Sequence, residues 1–282
     1  MFRILKVFRL GKAFSILLGV FTISLYAYGS FDVLRDSAVS LTIALGIASL
    51  FLLICAGYMM NDCCDLGYDI INNPRRVLIN SAISKRGAQW MYRMLFLMGL
   101  LIAAIVNAWF FGLIMLDTLA VYFYNLYSKR LAYIKDILVS LLVVSIYPLS
   151  FALTSGGTPS PRRDSLFIFP IWLFLMVMSY ELSQDILDIH GDRSGGGNTL
   201  PSLIGIIETR RLATILALVS IPIACAPFCL GMCGMVYLIG FVITLPVFVV
   251  SLFFSDRLFS HGVLFFIRAI TLASLIDLMV GR

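Results

Sequence analysis

Nine stretches of the chain are nearly continuous runs of apolar residues: 13–30, 38–60, 90–106, 108–124, 137–155, 165–183, 211–229, 231–251 and 261–280. Each is close to the roughly 20 residues that a helix needs to cross the hydrocarbon layer of a bilayer. The breaks near 107 and 230 are the shortest. Pro148, Pro222 and Pro227 fall inside these runs, which a bundle tolerates because neighbouring helices satisfy the backbone groups that proline frees. The pattern predicts an all-α polytopic membrane protein with nine spans and a single transmembrane domain over 1–282. It shows no soluble domain and no low-complexity tract.

Composition agrees with the pattern. The 282 residues are 61% hydrophobic and 13% charged, against about 25% charged in an ordinary soluble domain. A water-soluble globule has nowhere to bury so much apolar surface, whereas lipid covers it. The net charge of +6 reads as sidedness across a membrane and gives no sign of nucleic acid. Sixteen of the 21 Lys and Arg residues fall on one side if the N-terminus is cytoplasmic: Arg3, Lys6, Arg9, Lys12, Arg75, Arg76, Lys85, Arg86, Arg93, Lys129, Arg130, Lys135, Arg193, Arg210, Arg211 and Arg257. The opposite loops keep only Arg35, Arg162 and Arg163. The expected orientation is therefore N-terminus inside. The basic N-terminal segment leads into the first span without a clean cleavage pattern, so no removable signal peptide is expected.

The six cysteines, at 55, 63, 64, 225, 229 and 233, lie in or beside apolar runs and do not form a secreted disulfide framework. Cys225, Cys229 and Cys233 share one helical face if the helix continues through them. A metal triad there is the less ordinary reading, and small residues at helix contacts the more ordinary one.

The two longest connections, 61–89 and 184–210, fall on the inner side and carry an unusual acidic pattern. Asp62, Asp65 and Asp69 lie in "NDCCDLGYD", and Asp185, Asp188 and Asp192 in "ELSQDILDIHGD". Both sets have offsets of zero, three and seven, which put three carboxylates on nearly the same face of a helix. With Glu181, they account for seven of the 15 acidic residues. Such stripes repel themselves unless a cation lies among them. Hard divalent ions suit carboxylate oxygens, and a phosphorylated ligand completes their coordination. The plainer reading is a pair of water-facing helix ends, and a single DxxD warrants no more than that. Two matched stripes on one side of the membrane point to a site.

Basic residues follow each stripe: Arg75, Arg76, Lys85 and Arg86 after the first, and Arg193 after the second, with Lys129, Arg130 and Lys135 in the connection between. Guanidinium forks grip phosphate oxygens well. Asn61 is placed to bond a phosphate or a metal-bound water. The loop "GDRSGGGNTLP" offers backbone donors for an anion, but it lacks the lysine and strand of a nucleotide-binding loop. His190 and His261 read as solvent or interface residues. Cys63 and Cys64 point away from the carboxylate face.

"NDCCDLGYD" followed by "NNPRR", together with "DILDIHGDRSGGGNTLP", resembles the two motifs of the UbiA superfamily of intramembrane prenyltransferases over essentially the whole chain. That resemblance implies nine helices around a central cavity, with Mg²⁺ and a prenyl diphosphate between the motifs. It places the catalytic and metal-binding roles on Asp62, Asp65, Asp69, Asp185, Asp188 and Asp192. Substrate contacts fall to Asn61, Arg76, Tyr127, Lys129, Arg130, Arg193 and Asn198. The segment "LSQDILDIHGD" looks most like the branch that makes archaeal-type ether lipids, although Gln184 stands where a basic residue is often found, and "NNPRR" also resembles chlorophyll- and quinone-forming members. The chain departs from the usual pattern in three places. "RRVLINSA" replaces a proline-containing loop after the first motif, Asn198 stands where a basic residue is common, and "YIKD" replaces a Gly-Asn pair so that Asp136 stands for an amide.

The implied reaction is Mg²⁺-dependent transfer of a prenyl group to an aromatic or glycerophosphate-type lipid-alcohol acceptor, with release of diphosphate on the cytoplasmic side. A terpene cyclase would use the same residues without an acceptor. A transporter would place charges near mid-membrane, where only Asp117 and Asp277 are candidates.

Overall fold

The computed structural model describes residues 9–72, 83–127, 134–154, 159–194 and 197–280. Among these the regular structure is helical. The helices are α1 (Leu10–Tyr28), α2 (Ser37–Cys64), α3 (Leu66–Asn72), α4 (Lys85–Val106), α5 (Ala108–Tyr127), α6 (Ile134–Val144), α7 (Ile146–Leu153), α8 (Pro161–Ser165), α9 (Phe169–Ser194), α10 (Leu200–Ile204), α11 (Ile206–Cys229), α12 (Met235–Ser251) and α13 (Asp256–Val280). Counting α6 with α7 and α8 with α9 as single passes, eight helical segments are long and apolar enough to cross a bilayer. The remaining expected span, the eighth at 231–251, is α12, which has 17 residues and rises about 26 Å at 1.5 Å per residue, short of the full hydrocarbon thickness.

Local chemistry accounts for most boundaries. Gly29 ends α1 with φ +71, a left-handed conformation that costs glycine little, and its N–H returns to the Tyr26 carbonyl at 3.0 Å. The Asp36 carboxylate caps α2 by accepting from Ala38 N at 2.8 Å. Ser84 caps α4, and at the start of α10 the Ser202 hydroxyl accepts from Thr199 N at 3.0 Å. The predicted run 137–155 breaks between α6 and α7 because Pro148 has no N–H for the carbonyl of Val144. At this break the Ser145 hydroxyl donates to Asp117 at 2.6 Å.

Small residues set the helix contacts. The Ser49 hydroxyl donates across to the Gly99 carbonyl at 2.7 Å, joining α2 to α4. A Cβ on Gly99 would meet Leu53 Cγ at 2.7 Å and the Ser49 carbonyl at 3.2 Å. Gly99→Val is therefore expected to lower stability by about 1–3 kcal/mol. Gly112→Val on α5, where a Cβ meets nothing within 4 Å, should stay within about 0.5 kcal/mol of wild type. Unfolding midpoints in detergent compare the two, and equal midpoints would contradict the packing argument. The α9–α11 contact uses the Ser179 hydroxyl on the Ala213 carbonyl at 2.8 Å. Gly240 on α12 faces Ala273 on α13.

The most buried spans are α1 and the pass ending in α9, whereas α4 and α5 are buried least and turn apolar side chains such as Leu101, Trp109 and Leu116 outward. A cavity of about 390 Å³ lies between α1, α2, α5, α6, α7, α9 and α13, within the size range of ligand pockets. Tyr26, Leu53, Tyr147, Phe169, Trp172 and Leu173 give it a largely apolar wall. At the end of the bundle where α12 starts and α13 ends, Arg162 donates to Asp277 Oδ2 at 2.6 Å. The same carboxylate accepts from Gly234 N at 2.9 Å and Tyr237 N at 3.3 Å, so it caps the start of α12. Asp277 is thus a fastening, and its burial carries no sign of transport.

The three-cysteine face does not form. Helix α11 ends at Cys229, and Cys233 lies in the following turn. Burial pushes its thiol up to about 12, partly offset by the hydrogen bond from the Tyr26 side.

Candidate active site

The two aspartate stripes form on different backbones. The second lies within one unbroken helix, since α9 runs through Asp185, Asp188 and Asp192. The sixth span therefore extends well past the expected end at 183. The first stripe is interrupted: α2 stops at Cys64, Asp65 is its C-cap, and Asp69 sits on the separate helix α3. The expectation of one straight helical face over 62–69 is corrected to a helix, a break and a short helix. Backbone bonds from Asp65 N to Asn61 O at 2.8 Å and from Asp69 N to Asp65 O at 2.9 Å keep the turn nearly helical. Helix α3 packs on α9 and brings the stripes to the same end of the bundle.

Each stripe holds a basic side chain from elsewhere. Arg9, at the start of α1, makes an ion pair with Asp62. Burial opposes the charge on Arg9, but Asp62, Tyr58 and Asp69 more than compensate and hold its guanidinium above the ordinary value. On the other stripe, Lys135 Nζ donates to Asp185 Oδ1 at 2.5 Å and to Asp136 Oδ1 at 2.6 Å. The Asn61 amide donates to Asp65 Oδ2 at 2.8 Å, which orients that carboxylate and leaves the amide oxygen as a further hard donor.

The polar end of the cavity is lined by Arg9, Lys12, Tyr58, Asn61, Tyr124 and Glu181, with Asn61 next to the first stripe in sequence and Glu181 one turn before the second. The Lys12 ammonium stands 5.2 Å from the centre of the Tyr180 ring, and the Arg9 guanidinium 5.2 Å from that of Tyr58. The sequence reading left Arg9 and Lys12 as topology residues. Their three-residue spacing at the head of the first span was the signal that both face one way. Tyr127, at the end of α5, is 41% exposed and pairs with Phe123, while Tyr124 lines the cavity. Arg193, Asn198 and His190 are exposed. Arg76, Lys129 and Arg130 lie outside the described residues. In the glycine loop, Gly197 N returns to the Asp192 carbonyl at 2.7 Å, so this part of the loop folds back on the stripe itself.

The first stripe carries oxygen donors of the kind a hard divalent ion takes, three carboxylates and an amide oxygen, with Asp62 already paired to the half-exposed Arg9. The second stripe fits less well, because Lys135 already occupies one oxygen of Asp185. Buried Asp136 Oδ2 and Asp185 Oδ2 accept no hydrogen bond. Among the described residues, no three His, Cys, Asp or Glu side chains stand close enough together to hold a metal ion.

Comparison with known proteins gives the following. The sequence profile of the UbiA prenyltransferase family matches residues 13–263. A digeranylgeranylglyceryl phosphate synthase of Methanopyrus kandleri is 30% identical over 207 residues, covering 72% of each chain. The apo structure of a UbiA homolog from Aeropyrum pernix K1 superposes with a TM-score of 0.74 at 19% identity, covering 95% of this chain and 96% of that one. A UbiA homolog from Archaeoglobus fulgidus bound to GPP and Mg²⁺ superposes with a TM-score of 0.70 at 14% identity, covering 99% of this chain and 100% of that one.

Proposed function

This chain belongs to the UbiA prenyltransferase family, and from that premise we propose that it transfers a long prenyl group from its diphosphate to the hydroxyl of a glycerophosphate-type lipid alcohol. The observation that carries the proposal is the cavity. Its apolar wall suits a prenyl tail, and its polar end carries Arg9, Lys12, Asn61 and Glu181, the last two adjoining the two carboxylate stripes in sequence. The choice of a lipid-alcohol acceptor over an aromatic one rests on the named activity of the relative from Methanopyrus kandleri.

In this reading the N-terminus is cytoplasmic and the polar end opens to that side, as the distribution of basic residues favours. Asp62, Asp65, Asp69 and the Asn61 oxygen would hold Mg²⁺, with Asp188 and Asp192 assigned to the second motif's side of the same site. The ion, when bound, would neutralise charge on the departing diphosphate. Arg9 and Lys12 add fixed positive charge at the same end, where it counts most as the allylic C–O bond breaks and its electron pair leaves with the diphosphate. Faces of Tyr58, Tyr124 and Tyr180 shield the developing carbocation. The acceptor oxygen forms the new C–O bond, and Glu181, a carboxylate lining the polar end of the cavity, takes the hydroxyl proton. Apolar walls keep water from the cation. Arg76, Lys129, Arg130 and Arg193 are assigned to the outer phosphate or acceptor head, and Asn198 to the same rim.

The test is diphosphate release by purified protein in lipid, with geranylgeranyl diphosphate and Mg²⁺. It is run alone, with geranylgeranylglyceryl phosphate, and with 4-hydroxybenzoate. Release only with the glyceryl phosphate is expected. Release without any acceptor would identify a cyclase or hydrolase. Release with only the benzoate would move the acceptor to the aromatic class, and no turnover in folded protein would overturn the reading.

A further inference from the structure

Lys135 bridges two carboxylates inside the protein. Its ammonium lies 2.6 Å from Asp136 on its own helix and 2.5 Å from Asp185 on α9. Lys135 is 5% exposed, Asp136 0% and Asp185 6%. The Arg9–Asp62 pair on the other stripe differs, since the Arg9 side chain is 35% exposed. Arg9 lines the cavity and has water within reach, and its partner Asp62 is itself 14% exposed. If Lys135 left, Asp136 would remain a buried charge without a counter-ion, which is strongly unfavourable. The ammonium is therefore pinned by Asp136, and Asp185 is pinned by the ammonium.

A divalent ion on Asp185 would have to sit beside this fixed positive charge in a site of low dielectric, where like charges repel strongly. We propose that Lys135 is a resident cation of the second stripe. It holds Asp185 in place of a metal ion, so that the chain binds one divalent cation with its prenyl diphosphate rather than two. The inference rests on the functional reading above. Lys135, Asp136 and Asp185 together keep one net negative charge. That charge adds to the field drawing the ion to Asp62, Asp65 and Asp69 without requiring a second ion on Asp185. Lys135 acts here through Asp185; it is a positioning residue with a structural charge.

The experiment counts ions. Full-length protein in lipid nanodiscs is titrated with Mn²⁺ in the presence of radiolabelled geranylgeranyl thiolodiphosphate, a non-reacting analogue. Bound Mn²⁺ is read by electron paramagnetic resonance and bound analogue by its label. The expected ratio is one Mn²⁺ per analogue in wild type and two in Lys135→Met, which keeps the chain length and removes the charge. Two ions in wild type, or one in the variant, would overturn the inference. Should Lys135→Met lose its cooperative melting transition, the double variant Lys135→Gly with Asp136→Asn removes the buried pair as a unit. It should then show two ions, and a count of one would again be fatal to the idea. Failure of wild type to bind the analogue at any Mn²⁺ concentration would be a different result, since it removes the functional reading itself.

Discussion

Asp62→Asn is expected to lower prenyl-diphosphate turnover by roughly 10²–10³-fold, the range seen when one preorganised electrostatic contact to a reacting group is lost. The substitution keeps the volume and one acceptor oxygen, so the local packing has no reason to change. It removes a full negative charge from the stripe and leaves Arg9, which pairs with Asp62, without its carboxylate. Two effects follow in the same direction. The divalent ion loses an anionic ligand, and half-saturation should move to higher Mg²⁺ concentration. Arg9 also shifts toward the diphosphate in the ground state, where tighter binding does not speed the chemical step. The measurements are kcat, KM and the Mg²⁺ dependence of diphosphate release, alongside an unfolding midpoint. A variant with unchanged midpoint and turnover within threefold of wild type would show that the first stripe does not carry the chemistry.

The largest loss of stability is expected at the other end of the bundle. Asp277→Ala should cost about 3–5 kcal/mol, the price of stranding the charge of a buried partner. Asp277 is 1% exposed and accepts from Arg162, from Gly234 N and from Tyr237 N. The alanine variant thus strips an ion pair and a helix cap together. Arg162 also donates to the Asp277 carbonyl at 3.1 Å, a bond the variant keeps but which cannot neutralise the guanidinium. Asp277→Asn should lose less, because its amide oxygen still accepts from the start of α12. Replacing Arg162 by Met and Asp277 by Leu together should recover part of the loss, since no unpaired charge remains. Unfolding midpoints of the four proteins in one detergent decide the matter. A double variant no better than Asp277→Ala would show that the cap, and not the charge, is what matters.

Much of the site was legible because it was local. Offsets of three and seven follow from helical geometry alone, so six aspartates on two faces were visible without coordinates. Even there the reading failed in detail at Asp65, where α2 ends and α3 begins, because a helix break within a polar segment leaves little trace in hydropathy. Tyr127 was chosen from its place in a motif, and Tyr124, one turn away, lines the cavity. Telling them apart requires the rotation of α5 against its neighbours.

The sequence by itself determined the membrane-embedded helical class and the positions of the two carboxylate sets. Both depend on composition and on short-range periodicity, which the bilayer and the helix impose directly. Tertiary structure alone decided which cation meets which aspartate. Arg9 reaches Asp62 across 53 residues, Lys135 reaches Asp185 across 50, and Arg162 reaches Asp277 across 115. No periodicity connects positions so far apart. Charges in an apolar bundle must find partners because solvation is withheld, but which partners are within reach depends on how the helices pack.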